Sequence, residues 1–167
     1  MKITFTTTDC VLGRLLVAAT DIGICSVTLG DDEEKLAQDL RAEYPQAEFI
    51  SDATALQAHV QIILQHLNGR QPHLDLPLDV RATAFQQRVW EELRRIPYGA
   101  TVSYSEIARR LGQPSATRAV ARACATNPVA LVTPCHRVVR ENGDLSGYRW
   151  GIERKRRLLE QEQQNAV

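Results

Sequence analysis

The chain has 167 residues, 44% hydrophobic and 24% charged, which excludes a disordered or collagen-like polymer and suffices for one good core or two small ones. No apolar run reaches the length of a membrane span and the opening "MKITFTTTDC" lacks a secretory apolar stretch, so a cytoplasmic protein with no membrane partner is expected. Formal charge is zero overall, but residues 1–80 hold 5 basic and 12 acidic side chains and residues 81–167 hold 15 and 8, a net −7 followed by +7; the basic half fits a polyanionic partner and equally fits solvated helix faces.

In chain order, "KITFTTT", "GRLLVAAT" and "GICSVTLG" alternate apolar and polar residues between turn signals and predict three short antiparallel strands. Asp31 and Asp32 offer caps to a helix with Leu36 and Leu40 on one face, and residues 53–67 place Leu56, Val60, Ile63 and Leu67 at helical spacing. The stretch 68–83, with Gly69, Pro72 and Pro77, has no helical period and reads as an extended connection. It separates an α/β N-terminal domain, 1–80, from a mainly α-helical domain, 81–167.

In the second domain "AFQQRVWEELRRI" sets Phe85, Val89, Trp90, Leu93 and Ile96 on one helical face and stops at Pro97 and Gly99. Residues 101–128, "TVSYSEIARRLGQPSATRAVARACATNP", carry a helix-turn-helix pattern: a Ser/Thr cap, a short helix with Ile107 and Leu111 inside, Gly112 at the turn, and a second helix ended by Pro128. That second helix is rich in alanine (Ala116, Ala119, Ala121, Ala123, Ala125), and Arg118 and Arg122, four apart, share one side. Such a helix can lie close against a nucleic-acid backbone, or it can be half of a packed helical hairpin.

The four cysteines, Cys10, Cys25, Cys124 and Cys135, form no C-x-x-C pair; reduced thiols are expected rather than a zinc ribbon or a disulfide framework. Cys10, Cys25 and Cys124 read as structural thiols. Cys135 stands beside His136 and Arg137, and a basic neighbourhood lowers a thiol's pKa and makes it a nucleophile. Residues adjacent in sequence need not touch, so His136 is expected to reach the thiol through a water, and a carboxylate would hold its tautomer. In "ERKRRLLEQEQQ" Leu158 and Leu159 turn to the core, so Glu162 faces inward and Glu160 outward. This places Glu162 in a Cys135–His136–Glu162 relay; the alternative is a Glu162 solvated at a fraying helix end.

The blocks "SYSEIA", "RAVARACATNP", "PCHRVV" and "GYRWG" with "LLEQE" resemble the O6-alkylguanine-DNA alkyltransferases, also called methylated-DNA–protein-cysteine methyltransferases. The resemblance is strong over about residues 80–163 and weaker over the strands of 1–30. It implies that the lesion is flipped out of double-stranded DNA. Cys135 then takes the alkyl group of O6-alkylguanine, and of O4-alkylthymine, in one irreversible displacement that uses no cofactor. By the same similarity His136 is the water-mediated base, Glu162 orients it, Asn127 pins the turn that carries Cys135, and Tyr104 donates to the guanine. Arg118 fills the gap left by the flipped base, and the helix bearing Ala119 and Arg122 enters the minor groove, as part of a monomer.

Tyr148, Arg149, Trp150 and Val138 are expected to line the pocket, with the Trp150 indole competing with bulky O6 substituents. Some relatives carry an added cysteine-rich zinc module, which is not expected here, and others bind zinc in the amino-terminal part. Cys10 and Cys25 with His59 and His73 do not match that pattern, so no metal is expected. Two rival readings are a DNA-binding module without chemistry, either a helix-turn-helix regulator or a sensor that binds alkylated DNA without transfer and lacks the cysteine at the position of Cys135, and a cysteine hydrolase using Cys135 and His136.

Overall fold

The computed structural model describes residues 1–166, which form two compact units: Met1–Val80 with Pro128–Val132, and Arg81–Asn127 with the chain from Thr133 onward. The first unit contains β1 (Lys2–Cys10), β2 (Gly13–Ala19), β3 (Ile24–Gly30), α1 (Glu33–Glu43), β4 (Glu48–Ser51) and α2 (Gln57–Leu67). The three alternating segments are the antiparallel strands β1 to β3, with Thr4 opposite Ala19 and Val17 opposite Val27. A fourth strand, β4, joins the outer side of β1 in parallel, Lys2 opposite Glu48, so the order is β3-β2-β1-β4. No period in "EFIS" announces it. A parallel partner needs a crossover, and α1 supplies one that returns the chain beside β1.

Helix α1 starts where the aspartates predict: the Asp32 side chain accepts the Glu34 N–H, and Glu33 and Glu34 occupy the first turn. Such a cap is worth roughly 1 kcal/mol. Its inner face, Leu36 and Leu40, packs with Ile3, Leu16, Ala18 and Cys25. Helix α2 begins at Gln57, four residues later than its apolar spacing predicts. The Asp52 side chain accepts the Ala55 N–H, which holds the preceding residues in a turn instead. Along β3, Ile24 donates to Pro77 O and accepts from Asp79 N, while Val27 donates to Pro128 O and accepts from Ala130 N. Gly23 permits this, since a Cβ there would stand 2.7 Å from Pro77 O.

The second unit contains α3 (Ala84–Arg94), β5 (Val102–Ser103), α4 (Tyr104–Arg110), α5 (Thr117–Ala125), a 3-10 turn at Cys135–Arg137, β6 (Val138–Val139) and α6 (Ile152–Asn165). Thr83 and Gln86 close a reciprocal capping box on α3, which satisfies two of the backbone groups a helix start leaves open. Val89, Trp90 and Leu93 are buried, and the Trp90 indole donates to Ala123 O at 2.9 Å, fastening α3 to α5. Ser103 caps α4 by accepting the Glu106 N–H. Gly112 turns the chain toward α5 at φ +74, a backbone region where side chains are disfavoured; α4 and α5 are the helix-turn-helix. Strands β5 and β6 pair in parallel, Val102 with Val138 and Ser103 with Val139, and so carry the Cys135 turn to the start of α4.

Candidate active site around Cys135

Cys135 opens a 3-10 turn, so it and His136 point in different directions without lying in a strand. Asn127, two residues beyond α5, is fully buried and donates from Nδ2 to Thr133 O at 2.8 Å and to Cys135 Sγ at 3.3 Å. One amide thus binds the end of the helix-turn-helix both to the loop and to the thiol. A buried amide with two acceptors is worth keeping rigid, because losing either leaves a polar group unsatisfied.

His136 is 0% exposed and its Nε2 lies 2.6 Å from Glu162 Oε2. Glu162, 2% exposed, sits on the inner stripe of α6 with Lys155, Leu158 and Leu159, while Glu160 is exposed. The carboxylate is also gripped by Arg137, whose Nε donates to Oε1 at 2.7 Å and whose Nη2 donates to Oε2 at 3.2 Å. Burial alone would raise the Glu162 carboxyl. The hydrogen bonds from His136 and Arg137, with the positive charge of Arg137, outweigh it and bring the group down to about 2. Burial lowers His136 below the ordinary imidazole range, against the pull of Glu162. The ring is therefore neutral at rest and Arg137 carries the charge that balances Glu162. With Nε2–H donating to the carboxylate, Nδ1 keeps its lone pair, and Nδ1 is buried with no protein partner.

The thiol departs from the sequence reading. Burial pushes Cys135 up to about 11, against the lowering effects of the Asn127 hydrogen bond and of the Lys155 and Arg149 charges. Arg137, expected to activate the thiol, instead serves Glu162 and donates to Ile96 O. The resting residue is a thiol, and chemistry at neutral pH requires a base.

Cys135 opens onto a cavity of about 310 Å³ whose wall includes Tyr104, Cys124, Ser146, Tyr148 and Arg149. Tyr104 hydrogen-bonds to Ser146, which takes an unusual left-handed backbone, φ +64. Arg149 donates to Asn127 O at 2.7 Å, joining the rim to the end of α5. Two expected lining residues are elsewhere. Val138 and Trp150 are buried and not among the described residues that face the cavity. The Trp150 ring lies behind Tyr148, 5.2 Å between centroids and edge-on, and Arg149 covers it at 5.2 Å. The large ring found apolar packing inside rather than at the rim. Arg118 and Arg122 are exposed on α5 and Ala119 between them is half-buried.

Sequence reasoning missed Lys155, which is 0% exposed. Its ammonium donates to Val138 O at 2.7 Å and Gly147 O at 3.2 Å and lies 5.8 Å from the Tyr104 ring centroid. Burial lowers it to about 8. The signal was available: Lys155 precedes Glu162 by seven residues, two helical turns, and shares the stripe of Leu158. Of the residues weighed for a metal, Cys25 is in the sheet core and burial raises its thiol to about 12, while Cys10 is on β1 and His59 on α2.

Residues 3–80 match the 6-O-methylguanine DNA methyltransferase, ribonuclease-like domain, and residues 84–164 the 6-O-methylguanine DNA methyltransferase, DNA binding domain. The chain is 49% identical over 165 residues to the bifunctional transcriptional activator/DNA repair enzyme Ada of Escherichia coli, covering 99% of this chain and 47% of that protein. It thus spans about half the length of that relative and of the regulatory protein ada of Salmonella typhimurium. It is 36% identical to a methylated-DNA–protein-cysteine methyltransferase of Mycolicibacterium paratuberculosis, covering 98% of this chain and 94% of that one. The crystal structure of Mycobacterium tuberculosis OGT in complex with DNA superposes with a TM-score of 0.85 at 37% identity, over 98% of this chain and 94% of that one. On these two domain matches and full-length relatives, the chain belongs to the 6-O-methylguanine DNA methyltransferase family.

Proposed function

We propose that this protein repairs DNA by moving an alkyl group from O6-alkylguanine, and from O4-alkylthymine, onto Cys135, in a single turnover without a cofactor. The observation that carries this is the chain Glu162–His136 ending in an unpartnered, neutral Nδ1, with the buried thiol of the preceding residue lining a cavity. His136 takes the Cys135 proton through one water, Glu162 stabilises the imidazolium that results, and Lys155 and Arg149 favour the thiolate. The sulfur pair then forms the S–C bond as the C–O6 bond breaks. Its electrons leave with guanine, to which Tyr104 donates a hydrogen bond. The base takes up a proton as it departs and His136 returns its own to solvent, so charge balances.

Double-stranded DNA is the partner, entered from the minor groove by α5. Arg118 replaces the flipped base, Ala119 allows close approach, and Arg122 meets phosphate. The protein acts as a monomer in the cytoplasm, with domains 1–80 and 81–167. Among the described residues no helix is long and apolar enough to cross a membrane. Incubation with a duplex containing O6-methylguanine, followed by mass spectrometry, tests the proposal. One methyl increment on Cys135 is expected; a bound but unmodified protein would instead establish the sensor reading.

A further inference from the structure

The Cys135 cavity holds a polar group that this chemistry does not use. Tyr148 is half-buried by its ring, but its hydroxyl is buried and has no hydrogen-bond partner in the protein. A buried phenol without a partner costs roughly 1–3 kcal/mol, and such groups are normally satisfied. The ring stands edge-on to His136 at 6.4 Å between centroids, and Tyr148 shares the cavity wall with Cys135. Burial raises its phenol well above the usual range, and negative charge at Cys135 and Glu162 raises it further. The hydroxyl therefore stays protonated and is a donor throughout the reaction. On the neighbouring ring, His136 Nδ1 is also buried without a protein partner.

We propose that Tyr148 is a positioning residue for proton transfer from Cys135, its hydroxyl and His136 Nδ1 together holding the water that links thiol to base. A buried water needs two to four polar partners. Here it accepts from Tyr148 O–H and from Cys135 S–H and donates to Nδ1, so its geometry is fixed before the lesion arrives. In the step itself the thiol proton passes to the water and a water proton to Nδ1; the phenol loses nothing. This rests on the alkyl-transfer reading above.

The test is the single-turnover rate of methyl transfer from an O6-methylguanine duplex, wild type against Tyr148→Phe, across pH. At neutral pH the variant should be about tenfold slower, the order of a misplaced proton transfer. Its lesion-duplex affinity, measured with Cys135→Ala as the common background, should be unchanged. The deficit should shrink as pH rises toward the thiol's own ionisation, about 11, because a thiolate needs no base. The other titratable groups around Cys135 are Cys124 from α5, Tyr104 from α4, Lys155 from α6, and Arg149 in the loop, and Glu162 and Arg154 act on Tyr148. All are present in both proteins and cancel in the ratio. Equal rates overturn the proposal, as does a deficit that stays constant with pH, which would mark a packing role only. A wild type that transfers nothing would sink the alkyl-transfer reading instead.

Discussion

The inner stripe of α6 and the outer face of α5 both carry charge, and the fold treats them in opposite ways. On α6, Lys155 and Glu162 are fully buried and every charge is answered: the ammonium by two carbonyls, the carboxylate by Arg137 and His136. On α5, Arg118 and Arg122 are exposed, with Ala119 between them. Burying a charge is costly unless it is paired, so the first region is held at one geometry. Exposed guanidinium groups keep their hydration and freedom and give little to folding. Rigid charge suits a reaction that must place one proton; mobile charge suits contact with a long polyanion.

If the two regions divide chemistry from binding, breaking one should leave the other intact. The largest effect is expected from Cys135→Ala, which removes the acceptor: no alkyl group should appear on the protein while duplex affinity stays within about twofold. Joint loss of both activities would show that the regions are not separable.

Glu162→Gln comes next. It leaves Arg137 buried without its anion, for which roughly 3–5 kcal/mol of stability is expected to be lost, and transfer at a permissive temperature should slow by about tenfold or more. Glu160→Gln, on the exposed side of the same helix, should change neither. Matching effects would contradict the inward-facing assignment.

Acid sharpens the contrast. The Glu162 carboxyl is lowered from 4.5 to about 2, so below its unfolded pKa the unfolded chain binds a proton that the folded one refuses. Its contribution is present above pH 4.5 and is lost as pH falls from there toward 2. His136, also lowered, works in the same sense at higher pH: folding must keep the ring neutral, so stability declines as pH falls through the ordinary imidazole range. Thermal melts should show both losses, and Glu162→Gln should abolish the lower one.

On the other side of the comparison, Arg118→Ala should slow repair of a duplex lesion by several-fold yet leave reaction with the free alkylated base unchanged, since only the duplex has a gap to fill. Binding should weaken steeply with salt, and Arg122→Ala, which removes the phosphate contact, should show a shallower salt slope. The smallest effect is expected from Trp150→Gly. The indole supports Tyr148 from behind rather than lining the cavity, so inactivation by free O6-benzylguanine should rise only through a looser Tyr148; no rise would show that Tyr148 holds its place without it.

Local pattern determined much of this protein. Period two in the first thirty residues, the Asp32 and Ser103 caps, the buried Val89, Trp90 and Leu93, and the inward turn of Glu162 all follow from spacing and capping, because each depends on neighbours within a turn or a strand. What only the tertiary structure decided depends on residues distant in sequence. Strand β4 exists because a crossover returns beside β1. Arg137 answers Glu162, 25 residues on, rather than the thiol next to it, because a 3-10 turn aims consecutive side chains apart. Burial on all sides, a property no short window contains, keeps Cys135 a thiol and His136 neutral, and packing behind Tyr148 takes Trp150 out of the pocket.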